Sequence, residues 1–332
     1  MVFSSCEKFQ DSPVKISDNP EIIRIPGDPN TKFETHILEG YFVKSIAFDS
    51  KGNAWIGTFK QGLIKYNSSE TIVYNSGNSS FPEDVVIWDV AVDNQDRVWI
   101  GSEGIIEFDG HSFKLHNTQN SPIPEDFVYS IAIDSKDNIW FTSCRFRQGG
   151  IVKHNGTSWE IFTPENSELP VNLVHCIAID QNDIVWLALG EKVGKSHLAK
   201  VSGNQWNTYT SDDIGFAPYY LSQIAMNSHN EVCVAIDYSL SSSWFHLGPQ
   251  VFVFDGNSSI QLMMDSTTSV TATTVDNEDN VWCITQQGFA VYNWDRWIQN
   301  DTIFREYGSF EVVQAPDNTI WIGTGNGIYI SE

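Results

Sequence analysis

The sequence predicts an all-β fold: a seven-bladed β-propeller with four antiparallel strands in each blade. Three observations carry this. One phrase recurs about every 45 residues. Each period holds four short apolar runs separated by Asp, Asn and Gly, and no window sustains a helical period of 3.6 residues. Four strands per repeat at this spacing is the arithmetic of a propeller blade.

The phrase is an apolar run ending in Asp, a polar turn, then Val or Ile, Trp, an apolar residue and a small one. Its clearest copies are VKSIAFDSKGNAWIGT, IWDVAVDNQDRVWIGS, VYSIAIDSKDNIWFTS and VHCIAIDQNDIVWLAL, with three degenerate copies after them. Trp55, Trp99, Trp140, Trp186, Cys233, Trp282 and Trp321 occupy the anchor slot, at intervals of 44, 41, 46, 47, 49 and 39 residues. A flat, large side chain there fills the wedge between neighbouring sheets, burying on the order of 200 Å². The small residue two places on (Gly57, Gly101, Thr142, Ala188, Gly323) leaves room for a bulky neighbour. The turns DSKGN, DNQDR, DSKDN and DNEDN put Asp, Asn or Gly where a hairpin visits positive φ.

The third strand opens with Gly in five units, at Gly62, Gly104, Gly150, Gly288 and Gly327. The fourth is aromatic or apolar at alternate places, as in Trp159-Glu-Ile-Phe and Trp206-Asn-Thr-Tyr. The seventh unit ends after its third strand, at Ile328-Tyr-Ile, while the strand-like run Phe33-Glu-Thr-His-Ile-Leu precedes the first unit. Pairing the two completes the last blade and covers an open edge. The expected organisation is a tail over residues 1–22 and one propeller over 23–332.

Composition narrows the partners. Nineteen Lys and Arg stand against 42 Asp and Glu, a formal charge of −23. Phosphate contacts need protein cations, so neither nucleic acid nor an anionic membrane surface suits this chain. No run approaches the eighteen or so apolar residues of a spanning helix. Cys176, Cys233 and Cys283 fall in strands of different blades and read as buried free thiols. With no CxxC pair and no closely spaced histidines, no metal or other cofactor is assigned. The acidic turns lack the length and the closing Glu of a calcium loop.

The repeat I-A-x-D-x-x-x-N-[IV]-W, followed by G-[LI]-x-x-[YF]-[ND] and an N-S-x-[LI]-P element (NSSFPED, NSPIPED, NSELPVN), resembles the two-component regulator propeller repeat. The resemblance implies a bacterial propeller of the kind found in extracytoplasmic sensor halves of hybrid histidine kinases, read as glycan or nutrient sensors, and in free-standing secreted or lipid-anchored proteins. This chain has no kinase motif, and none of its anchor Trp residues is followed by Asp as in WD40 repeats. Phe3-Ser4-Ser5-Cys6 resembles the end of a lipobox, which makes Cys6 a candidate lipidation site and the protein a periplasmic or outer-membrane lipoprotein.

Among seven similar units, the informative positions are those that vary. The residue two places before the I-A pair reads Lys44, Trp88, Tyr129, His175, Ser222, Thr271 and Glu311. First strands line the channel, so this ring surrounds one mouth as a ligand floor. Connections over the same mouth break the pattern in three consecutive blades. They bring Arg145, Arg147, Lys192, Lys195, Trp244, Phe245 and His246, with Phe216, Tyr219 and Tyr220 beside them. Aromatic faces with Arg and Lys suit a sugar ring or an acidic oligosaccharide. The leading expectation is a monomeric, non-enzymatic binding propeller for a glycan, another small ligand or an envelope protein. The alternatives are a metal-dependent enzyme like streptogramin lyases and lactonases, using His175 and Glu311, and a protein-interaction scaffold.

Overall fold

A hairpin can reverse in so few residues only if one of them adopts positive φ, and each blade supplies that residue between its first and second strands. They are Gly52 (77°), Asp96 (60°), Asp137 (61°), Asp183 (60°), Asn230 (61°), Asp279 (63°) and Asn318 (71°). The computed structural model describes residues 23–24, 33, 35–145, 148–192, 195–215, 221–236, 251–262, 269–285, 288–300 and 309–331.

Seven antiparallel sheets follow one another along the chain, each built first strand inward to fourth strand outward. Blade one is Val43–Phe48, Ala54–Thr58, Leu63–Asn67 and Glu70–Tyr74. First strands of successive blades abut around a full circle, and that of blade seven, Ser309–Gln314, packs on that of blade one. The closing strand is the N-terminal one. Thr35–Ile37 pairs antiparallel with Gly327–Ile330, registering Thr35 with Ile330 and Ile37 with Ile328. Ile23–Arg24 adds a short parallel strand to the outer edge of blade six, a feature the repeat did not announce. A single turn of helix, Ser211–Ile214, links blades four and five.

The repeated Asp organises its own hairpin. The Asp49 carboxylate accepts from the backbone of Lys51 and Asn53, from Asn53 Nδ2 and from Trp55 Nε1. Asp93, Asp134 and Asp276 do the same for Trp99, Trp140 and Trp282. Each anchor Trp is buried, and Trp55 packs among Ile87, Val90 and Ile100 of the next blade. A Cβ added at Gly57 would collide with Ile87 and Val90, which is why that slot is small. All four described cysteines, Cys144, Cys176, Cys233 and Cys283, are buried free thiols.

The hairpin tips also join one blade to the next. The Asp96 carboxylate accepts from Ser50 of the preceding blade, Asp137 from Asn94, Asp183 from Ser135, Asn230 from Gln181, Asp279 from Ser228 and Asn318 from Asn277. These six links form a belt around the face opposite the varied ring. At the seam between blades seven and one the equivalent donor is Pro316, which has no N–H, and the equivalent acceptor is Gly52, which has no side chain.

Candidate functional site

Five of the seven ring residues owe their direction to a β-bulge. In blade one Val43 pairs with Thr58 and Ser45 with Gly57, so Lys44 is the extra residue. The same slip sets apart His175, Ser222, Thr271 and Phe310. A bulge re-aims a side chain at the cost of one pairing, and here it turns these five toward the channel. Lys44, Trp88, Tyr129, His175, Ser222, Thr271 and Phe310 line a mouth cavity of about 250 Å³.

Glu311 stands one place deeper than the sequence position assigned to it. Its register partner is Gly323, as Gly57 is for Ser45, so Phe310 completes the ring and Glu311 joins the layer below. That layer, with Ser45, Asp89, Ser130, Cys176 and Gln223, divides the mouth from a second cavity of about 320 Å³ further along the axis. Its side chains tie adjacent blades through backbone amides. Ser45 Oγ accepts from Val90 N (3.1 Å), Asp89 Oδ2 from Ile131 N (2.7 Å), Ser130 Oγ from Ile177 N (3.1 Å) and Gln223 Oε1 from Thr273 N (2.7 Å). Glu311 Oε1 accepts from Gln223 Nε2 at 3.3 Å and from Val312 N at 3.1 Å.

Burial governs the charges here. It pushes Glu311 up to about 8, helped by the negative charge of Asp89, and pushes Asp89 up to about 6 against three hydrogen bonds. It pulls His175 down to about 4, which keeps that imidazole neutral. Burial also lowers Lys44, while Glu311 acts the other way.

Above this layer runs an aromatic strip. The Lys44 ammonium lies 4.3 Å from the centre of the Phe310 ring, 5.3 Å from Trp88 and 5.9 Å from Phe42. Trp88 continues to Phe127 (5.5 Å) and Tyr129 (5.6 Å), and the Arg145 guanidinium lies 5.7 Å over Phe127. Phe59 and Tyr129 keep about two fifths of their surface in solvent, at 42% and 40%. Beside the strip, blades three and four rise as a wall. Their central hairpins, Ile139–Arg145 with Gln148–His154 and Val185–Lys192 with Lys195–Ser202, use strands of seven and eight residues where blade one uses five.

Of the residues singled out from sequence, Lys44, Trp88, Tyr129 and His175 meet at the mouth, Glu311 lies in its floor and Arg145 stands on its rim. Arg147, Tyr219, Tyr220, Trp244, His246 and Cys6 lie outside the described residues. Phe42, Phe59, Phe127, Phe310 and Asp89 escaped sequence reasoning. Phe42, Phe59 and Phe127 precede or follow a strand in connections that do not repeat, whereas Phe310 and Asp89 lie within the first strands of blades seven and two. Among the described residues, no three His, Cys, Asp or Glu side chains converge as metal ligands.

Residues 37–60, from the last residue of the closing strand through the first hairpin of blade one, match the family model described as two component regulator propeller. Blade one thus carries one two-component regulator propeller repeat. Its fold is similar to the extracellular domain of a hybrid two-component system from B. thetaiotaomicron, with TM-score 0.67 and 15% identity over 91% of this chain. The propeller spans 39% of that domain's length. It is also similar to virginiamycin B lyase from Staphylococcus aureus crystallised with quinupristin (TM-score 0.68, 11% identity, 89% of this chain and 96% of that one). PorZ, a surface component of the type-IX secretion system of Porphyromonas gingivalis, gives TM-score 0.65 and 15% identity over 94% of this chain and 47% of that one. No curated protein matches the chain by sequence.

Proposed function

We propose that this propeller is an extracytoplasmic binding protein whose channel mouth takes a glycan. The observation that carries the reading is the strip from Phe310 through Lys44 and Trp88 to Tyr129, Phe127 and Arg145. Exposed aromatic faces stack on the apolar faces of sugar rings, and the strip sits in a concavity walled on one side. Two cations at this mouth stand out on a chain of net charge −23. The extracellular origin of similar propellers supports the location. Residues 1–22 would serve as a tether lipidated at Cys6, tested by palmitate labelling that Cys6→Ser abolishes.

Calorimetric titration with linear trisaccharides tests the glycan reading. Trp88→Ala weakens binding about fivefold or more, taking the scale for a sugar ring from a base stacked on one aromatic ring, about 1–3 kcal/mol. Lys51→Ala, remote on the opposite face, leaves it unchanged. Equal affinity in the Trp88 variant removes the reading.

A second reading, a metal-dependent lyase, draws on the similar fold of virginiamycin B lyase and on His175 and Glu311 sharing one cavity. A divalent-metal thermal shift that disappears in His175→Ala and Glu311→Ala is its signature.

A further inference from the structure

Lys44 and Glu311 face one cavity from either side of the seam between blades one and seven. The Lys44 ammonium is held between the rings of Phe310 and Trp88 and lines the mouth. Glu311, the residue after Phe310, lines the floor beneath it, with one carboxyl oxygen engaged by Gln223 and by Val312 N. Among the described residues, the other titratable groups facing this space are Asp89 of blade two, Tyr129 of blade three, and His175 and Cys176 of blade four. His175 is neutral, and burial holds the Cys176 thiol up at about 11. With Glu311 raised to about 8 and Asp89 to about 6, the floor near neutrality carries the charge of Asp89 alone.

We propose that Lys44 is the recognition cation for the carboxylate of an acidic sugar, and that a protonated Glu311 keeps it available, so that the mouth selects uronate-type anions until Glu311 ionises. This rests on the glycan reading of the same mouth. A second negative charge in the floor would compensate Lys44 from below and repel the incoming carboxylate. Both effects act across a partly desolvated cavity, where charge interactions are several times stronger than in bulk water. A neutral sugar gains nothing from Lys44 and loses nothing to Glu311.

The test is calorimetry with trigalacturonate and its methyl ester at pH 7 and pH 9, on wild type and Glu311→Gln. Wild type loses trigalacturonate affinity on the order of tenfold between these pH values, whereas Glu311→Gln holds its affinity and the ester shows no pH dependence. Equal weakening in Glu311→Gln, or constant wild-type affinity, overturns the proposal while leaving the glycan reading intact. If the ester binds and trigalacturonate does not, the proposal is overturned and the glycan reading stands. If neither binds at any pH, the glycan reading fails, and iodide quenching of Trp88 (wild type minus Trp88→Phe) decides the anion claim. Quenching that falls between pH 7 and 9 in a Glu311-dependent way upholds it, and flat quenching overturns it. A carboxyl ¹³C titration of Glu311 in the wild type needs no variant: a midpoint above 7 is expected, and one below 6 overturns the proposal.

Discussion

The indole nitrogen of Trp140 donates to the carboxylate of Asp134, 3.2 Å away and six residues earlier. The same carboxylate accepts from Asn138 and from the backbone at Lys136, so one side chain caps the turn and orients the wedge residue of the blade. Asp134→Ala leaves several buried donors unsatisfied and is expected to destabilise by about 2–3 kcal/mol. In blade four, Asp180 accepts only from the turn, and the buried Trp186 nitrogen has no hydrogen-bond partner. Asp180→Ala therefore costs less. Paired denaturant melts of the two variants check the ranking; equal losses would mean that the indole bond contributes nothing.

Gly57 has an ordinary negative φ, so its requirement is purely one of space. A methyl group there meets Ile87 and Val90 of blade two. Gly57→Ala should destabilise by about 1–3 kcal/mol through overpacking, and Gly57→Ala with Ile87→Val should recover part of it. Thermal unfolding of the single and double variants reads this directly.

Closure depends on three residues of strand, fastened by His36, whose ring stacks on Tyr329 at 4.2 Å and whose Nε2 reaches Asn326 O at 2.7 Å. Removing residues 1–38 exposes the edge of Gly327–Ile330 and lowers the melting temperature by about 5 °C or more. Removing residues 1–22 leaves it unchanged if the domain boundary is placed correctly. Calorimetric scans of the two truncations separate the outcomes.

Stability should respond to pH in two opposed ways. His175 is held near 4 in the fold against an ordinary value of 6.5, so the unfolded chain takes the proton first. Its contribution is complete above pH 6.5 and is lost as pH falls toward 4, by about 3 kcal/mol at most. Glu311 is raised, so its contribution is complete below its ordinary 4.5 and is lost as pH rises through about 8. Glu311→Gln is thus expected to gain on wild type at pH 9 relative to pH 5. Denaturant midpoints across that range would show the lines crossing, and parallel curves would refute the assignment.

Nearly all of the fold was legible in the repeat, because Asp, Trp and a small residue at fixed spacing encode a turn cap, a wedge and the gap that admits a neighbour. The closing strand was legible too, since the seventh unit lacked an outer strand and Phe33 to Leu38 offered one. The site was legible only in part. Lys44, Trp88 and Tyr129 stand out because their neighbours repeat, but Glu311 lay one register off. Blade seven reads Phe-Glu-Val-Val in place of the I-A pair and has Ala315 where the other blades have Asp or Asn, and in a strand a shift of one residue changes the face. Phe42 and Phe127 sit in connections of no period. The relation of Asp89 to Glu311 depends on ring closure, which joins residues far apart along the chain.

The belt of turn-to-turn links has a beginning and an end. Ser50 gives to Asp96, and the series runs on to Asn318, where Pro316 and Gly52 leave the last join unmade. A structure held this way behaves as a split washer rather than a hoop. Heat or mechanical pull should part it first at that gap, exposing the flanks of blades seven and one while the other five remain fastened.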